Sequence, residues 1–202
     1  MRRYLSAGLL VLFLATACST APLHYYALNG IASREAAVTE DTTEKVSLSV
    51  VINPITLPEM VDRPQLVTLS RHNEIEIHET HRWATSLKQG IPYTVAQNLN
   101  NLLENIHVTV APQYVITDPD YTVQLDIQRF DSIPGQSARI DALWTIRHSR
   151  SGNVQSNFDR LAEPYSGEEF DGMVAAHSRM LMKLSENISR AIRSMDNRDV
   201  VR

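Results

Sequence analysis

Tyr121-Thr122-Val123-Gln124-Leu125-Asp126-Ile127-Gln128 alternates without a break, placing Tyr121, Val123, Leu125 and Ile127 on one face of an extended strand and Thr122, Gln124, Asp126 and Gln128 on the other. The turn residues Ser132-Ile133-Pro134-Gly135 follow, and Ala138, Ile140, Ala142, Trp144 and Ile146 repeat the pattern against Arg139, Asp141, Thr145 and Arg147. A second turn at Ser149-Arg150-Ser151-Gly152 leads to a third strand over Val154 to Arg160. Connections this short force antiparallel neighbours, so the segment is a three-stranded meander with one apolar face.

That face needs a cover, and the chain supplies it downstream. Phe170, Met173, Val174, His177, Met180, Leu181, Leu184, Ile188, Ala191, Ile192 and Met195 recur at i, i+3 and i+4, behind a capping-box pattern at Ser166-Gly167-Glu168-Glu169. Met182 falls off this stripe. Upstream, Leu87, Ile91, Val95, Leu99, Leu102, Leu103 and Ile106 have the same spacing, with Ser86 and Gln89 as a capping box. Pro92 interrupts the pattern, so the regular helix is expected to start or bend near Gly90 and to end near Asn105.

The remaining strands are short: Tyr25–Leu28, Val46–Ile52, Gln65–Leu69, Glu74–His78 and His107–Val110. Clean alternation in Glu74-Ile75-Glu76-Ile77-His78 puts the two isoleucines on one face and the polar residues on the other. Residues 29–45 and 111–119 read as loops. Strands, a helix, a meander and a closing helix predict an α+β domain, a mainly antiparallel sheet with the two helices packed on one face.

The 202 residues carry 19 basic and 23 acidic side chains, a net charge of −4. An acidic chain of this kind is no electrostatic binder of nucleic acid or of anionic headgroups. Arg2 and Arg3, the apolar run Leu5–Ala15, and small residues at Ala15 and Ala17 have the form of a secretory signal peptide, too short to span a bilayer as a mature helix. Cys18, the only cysteine, follows at once. Leu14-Ala15-Thr16-Ala17-Cys18 resembles a bacterial lipobox, with Ala15 where Leu is usual, and implies cleavage before Cys18 and acylation of its sulfur. Ser19, rather than Asp, implies sorting to the outer membrane. The expected organisation is a signal peptide over 1–17, a lipid-anchored tether over 18–24, one domain over 25–196 and a tail over 197–202.

Chemistry-bearing residues are few. His72, His78 and His81 with Glu74, Glu76 and Glu79 offer metal-ligand atoms, but in an extended segment His78 and His81 point to opposite faces, and position 82 is Arg, so no His-Glu-x-x-His pattern exists. No metal or other cofactor is expected. There is no Gly-x-Ser-x-Gly elbow and no glycine-rich phosphate loop, and His177 reads as a hydrogen-bonded histidine at the edge of the core. Met173, Met180 and Met195 read as core filler rather than a lipid-binding surface, with the off-stripe Met182 the exception. Asp62-Arg63-Pro64-Gln65 is either an edge-blunting device or part of a recognition surface with His81-Arg82-Trp83, where Arg82 and Trp83 are of the types that anchor interfaces.

Tyr25-Tyr26-x-Leu28 soon after the lipobox, Asp62-Arg63-Pro64-Gln65-Leu66-Val67, and Arg82-Trp83-Ala84-x-x-Leu87 leading to Asn98-Leu99 resemble the auxiliary lipoproteins of ABC-type and MCE-type transport systems, in particular the PqiC-like, paraquat-inducible type. The resemblance implies an outer-membrane-anchored periplasmic protein that is not an enzyme. It would dock through Asp62, Arg63, Gln65, Arg82 and Trp83 on the MCE-domain tunnel protein of a lipid transport system, and it could self-associate. Two alternatives share the tether: an envelope hydrolase, if His177 or His81 meets a Ser and an Asp in space, and a structural outer-membrane assembly lipoprotein.

Overall fold

The computed structural model describes residues 21–30, 48–70, 72, 74–112, 118–166 and 170–200, with the helix path alone for 197–200. The signal peptide, Cys18, most of the first loop and the Gly167-Glu168-Glu169 part of the second capping box lie outside these residues. The fold is α+β. In chain order the elements are β1 (His24–Tyr26), β2 (Leu48–Ile52), β3 (Gln65–Leu69), β4 (Ile75–Trp83), α1 (Leu87–Leu102), β5 (Ile106–Val110), β6 (Tyr121–Ile133), β7 (Ser137–His148), β8 (Val154–Pro164) and α2 (Phe170–Val200).

The meander forms as its alternation dictates: β6, β7 and β8 are antiparallel neighbours, joined by tight turns whose glycines, Gly135 and Gly152, take positive φ. Ala138, Ile140, Ala142, Trp144 and Ile146 all face inward. In β6 the buried series Tyr121, Val123, Leu125, Ile127 shifts phase to Phe130 and Ser132, because a bulge between Ile127 and Arg129 inserts one residue.

The strands divide between two mixed sheets, of order β5-β2-β6-β7-β8 and β1-β4-β3. The long pairings are antiparallel, but β2 lies between β5 and β6 and is parallel to both. A parallel neighbour requires a crossover. Here the β3–β4 hairpin and α1 provide it, lifting the hairpin out of the large sheet to form, with β1, the small one. Both helices cover the large sheet, α1 against β5 and α2 against β7 and β8, and they touch each other.

Asp159 fixes α2 to the meander. Its buried carboxylate accepts Trp144 Nε1 at 2.9 Å, Asn187 Nδ2 at 2.9 Å and Asn157 Nδ2 at 3.2 Å, so two strands and one helix share a single satisfied charge. On α1, the fully buried Asn98 lies 3.4 Å from Ser185 of α2.

Helix α1 starts at Leu87 rather than Gly90 and contains Pro92, whose ring is buried in the core. Ser86 is the N-cap residue, but through its carbonyl, which takes Gln89 and Gly90 N–H at 2.9 and 2.8 Å; its hydroxyl makes no cap bond. The helix stops at Leu102. Asn105 then takes φ 59°, left-handed backbone in which a helix cannot continue. Helix α2 runs through Val200, past the expected end at 196, and β1 begins at His24, inside the expected tether. Met182 is buried with the other helix methionines.

Candidate functional site

The small sheet carries the site, and its geometry begins with a register shift. Gln65 pairs with Arg82, but the next β3 residue, Leu66, pairs with His78, so Glu79, Thr80 and His81 are extra residues on β4. The bulge rotates His81 onto the face of His78, contrary to the strict alternation expected from sequence. The two rings lie 6.5 Å apart and both pack on Phe170, the first residue of α2, at 4.7 and 4.2 Å. From β1, His24 stacks on His81 at 4.9 Å, and Tyr26 reaches His81 at 5.9 Å and Phe170 at 6.0 Å.

The rings form a packed stack rather than a converging ligand set. Among the described residues no group of His, Cys, Asp and Glu is arranged to hold a metal ion. Burial lowers the pKa of His78, with Glu76 opposing and His81 reinforcing. Burial and the neighbouring His24 lower that of His81. His78 Nε2 is hydrogen-bonded to Thr68 Oγ1 at 2.8 Å. Beside them a cavity of about 440 Å³ opens between the β3–β4 hairpin, the β6–β7 turn and the start of α2, walled by Thr68, His78, Pro134, Tyr165, Phe170 and Met173.

The two faces of β4 are those the alternation sets, and the structure decides which of them turns inward. Glu76 and His78 face the cavity, whereas Ile75 and Ile77 stand on the surface, 49% and 42% exposed. Alternation does not say which face is covered; here the covering rings, Phe170 and Tyr165, lie on the histidine side.

Asp62-Arg63-Pro64-Gln65 and Arg82-Trp83 are brought together at the other end of the same sheet. Gln65 lies opposite Arg82, and Trp83 N–H donates to Pro64 O at 2.7 Å. Asp62 pairs with Lys88 of α1 at 2.5 Å, and Gln65 Nε2 donates to Glu79 at 3.0 Å. Arg82 Nε donates to the Glu79 carbonyl at 3.1 Å, while Arg63 Nε has no partner among the described residues. Trp83 is not an exposed anchor: it is only 7% exposed and packs edge-on against Phe130, with ring centres 6.2 Å apart. It stiffens the strand beneath Arg82.

His177 does meet a serine. Its Nε2 lies 2.8 Å from Ser132 Oγ, its ring stacks on Phe130 at 3.9 Å, and Ser132 also bonds Tyr165. Serine and histidine are 1% and 2% exposed, and His177 Nδ1 has no partner among the described residues. A nucleophile needs an open face and a base oriented by a third group. Burial depresses the His177 pKa to about 3, so the ring is neutral. The pair is a core hydrogen bond, as expected for His177.

The motif residues that lead into the helices have structural work. After β1 the chain crosses α2, where Asn29 N–H donates to Ser178 Oγ at 3.3 Å, and reaches α1 at Gly30. A Cβ on Gly30 would stand 2.9 Å from Gln97 Cβ, so only glycine lets this strap lie on α1. Residues 24–30 thus tie the small sheet to both helices.

Two mixed sheets, the larger under a helix pair, with a polar edge, a ring stack and a strap at the N-terminal end, define an α+β domain. The profile described as ABC-type transport auxiliary lipoprotein component matches residues 26–189, and the chain belongs to that family. Among curated proteins there is no match. Two solved structures share the fold, each with a TM-score of 0.68. One, an uncharacterized protein, is 19% identical and aligns over 85% of this chain and 99% of its own. The other, a Xanthomonas campestris protein of the DUF330 family, is 18% identical and aligns over 88% of this chain and 99% of its own. Among the described residues no helix is long and apolar enough to cross a membrane.

Proposed function

We propose that this protein is a non-enzymatic adaptor of an intermembrane lipid transport system, held by acylated Cys18 on the periplasmic face of the outer membrane after loss of residues 1–17. The family match over residues 26–189, beginning eight residues after Cys18, carries the reading. Its mechanism is positional. More than one acyl chain makes attachment stable, each buried CH₂ contributing about 0.8 kcal/mol, and confinement to a surface raises the local concentration of the domain around a partner. The partner is the MCE-domain tunnel protein of a Pqi-type system, met at the edge formed by Asp62, Arg63, Gln65 and Arg82, with Trp83 beneath. A second copy of the chain is a further partner, giving a homo-oligomer around the tunnel mouth.

At that edge Asp62 is exposed and Arg63, Gln65 and Arg82 are half-buried. A photo-crosslinker at position 63 or 82 in intact cells is expected to capture an MCE-domain protein, and capture only of unrelated proteins contradicts the docking edge. Cys18→Ala is expected to leave the domain folded but release it from membrane fractions; normal complementation by that soluble form contradicts the anchoring.

A further inference from the structure

β1 runs parallel to β4, with His24 opposite His81 and Tyr26 opposite Trp83. The chain therefore enters β1 from the N-terminal end of β4, where the β3–β4 hairpin turns and Leu69 lies opposite Ile75. Cys18 is six residues ahead of His24, a reach of at most about 20 Å. Six residues also separate His81 from Ile75, a similar length at about 3.3 Å per residue.

The hairpin end is apolar on its surface. Ile75 and Ile77 project from one face of β4 at 49% and 42% exposure, and Leu23, just ahead of β1, is 47% exposed. Single exposed apolar residues are ordinary. Here three occur on the end of the molecule from which the tether leaves, and the polar docking edge lies at the opposite end of β4.

We propose that the β3–β4 hairpin is the membrane-facing end of the domain, with Ile75 and Ile77 entering the interfacial layer of the phospholipid bilayer that holds the acyl chains. This rests on acylation of Cys18. Glu74 and Glu76 are exposed at this end too, Glu76 on the opposite, cavity face of β4, so the contact is apolar and owes nothing to anionic headgroups. Two aliphatic side chains are too little for free binding; the anchor supplies the concentration that makes them settle. The geometry directs Asp62, Arg63, Gln65 and Arg82 away from the bilayer, toward a partner arriving across the periplasm.

The test uses the full lipidated chain in phosphatidylcholine–phosphatidylethanolamine vesicles with brominated acyl chains. A nitrobenzoxadiazole label is placed on a cysteine introduced as I75C, I77C or, as reference, V154C. Val154 is exposed at the β7–β8 turn, the far end of the long β6–β7 hairpin from the cavity. All three are expected to float with the vesicles, with labels at 75 and 77 quenched severalfold more than at 154. Flotation with equal or absent quenching at 75 and 77 overturns the orientation. So does energy transfer between labels at 75 in the absence of vesicles, which assigns the face to a second copy. Failure to float, with a free thiol found at Cys18, sinks the anchoring reading and this inference with it.

Discussion

In the five-stranded sheet, the buried Asp159 arrives with donors: it takes one bond from β7, one from β8 and one from α2, within a largely apolar core. In the three-stranded sheet three imidazoles pack with Tyr26 and Phe170, a cavity stays open behind them, and two isoleucines face outward. The first arrangement fixes one geometry of two strands and a helix. The second leaves Ile75 and Ile77 on the surface and ties its polar end together through exposed or half-exposed pairs such as Asp62–Lys88 and Gln65–Glu79.

The contrast breaks most readily at Asp159. Asp159→Ala strands the Trp144 indole N–H in the core and frees the half-buried Asn187 amide from the meander, and is expected to lower unfolding stability by about 3 kcal/mol in urea titrations. A loss below 1 kcal/mol would mean the hub is not what seats α2.

His177, where the small sheet meets the core, sharpens the contrast through pH. Its folded pKa of about 3 lies below the ordinary 6.5, so the unfolded chain binds the proton first. The stability from the neutral buried ring is complete above pH 6.5 and drains as pH falls toward 3; one unit below 6.5 the loss is about 1.4 kcal/mol. The lowered pKa values of His78 and His81 act in the same direction, and that of Asp131, raised by burial, in the opposite one. His177→Gln is expected to flatten the urea midpoint between pH 7 and 5 relative to the parent chain, and an unchanged slope would place the proton uptake elsewhere.

The smallest effect on stability belongs to the edge proposed for docking. The Asp62–Lys88 pair is largely exposed, and a double-mutant cycle with Asp62→Asn and Lys88→Met is expected to return less than about 1 kcal/mol. A larger coupling would make the edge a structural element rather than a contact surface.

The meander and α2 were legible because each buries one face against a single layer, so period 2 and period 3.6 survive in the residues. β4 was not, since a bulge at Glu79–His81 changes its phase midway and its inner neighbours are rings that accept histidines. The neighbours of β2 were hidden for another reason: alternation tells which face a strand buries but not beside which strand it lies. Of the candidate docking residues, Asp62, Arg63, Gln65 and Arg82 do share one edge. Trp83 has the composition of an anchor, but residue type alone does not show that Phe130 and Pro64 already hold it.

Tension on the chain ahead of His24 runs along the axis of β1, so the few backbone bonds to β4 are pulled in shear and yield together rather than peeling one at a time. Behind them the Asn29–Ser178 bond and the seat of Gly30 on α1 form a second stop. A tug on the N-terminal leash is thereby spent on a three-residue clasp before any strain reaches the five-stranded sheet.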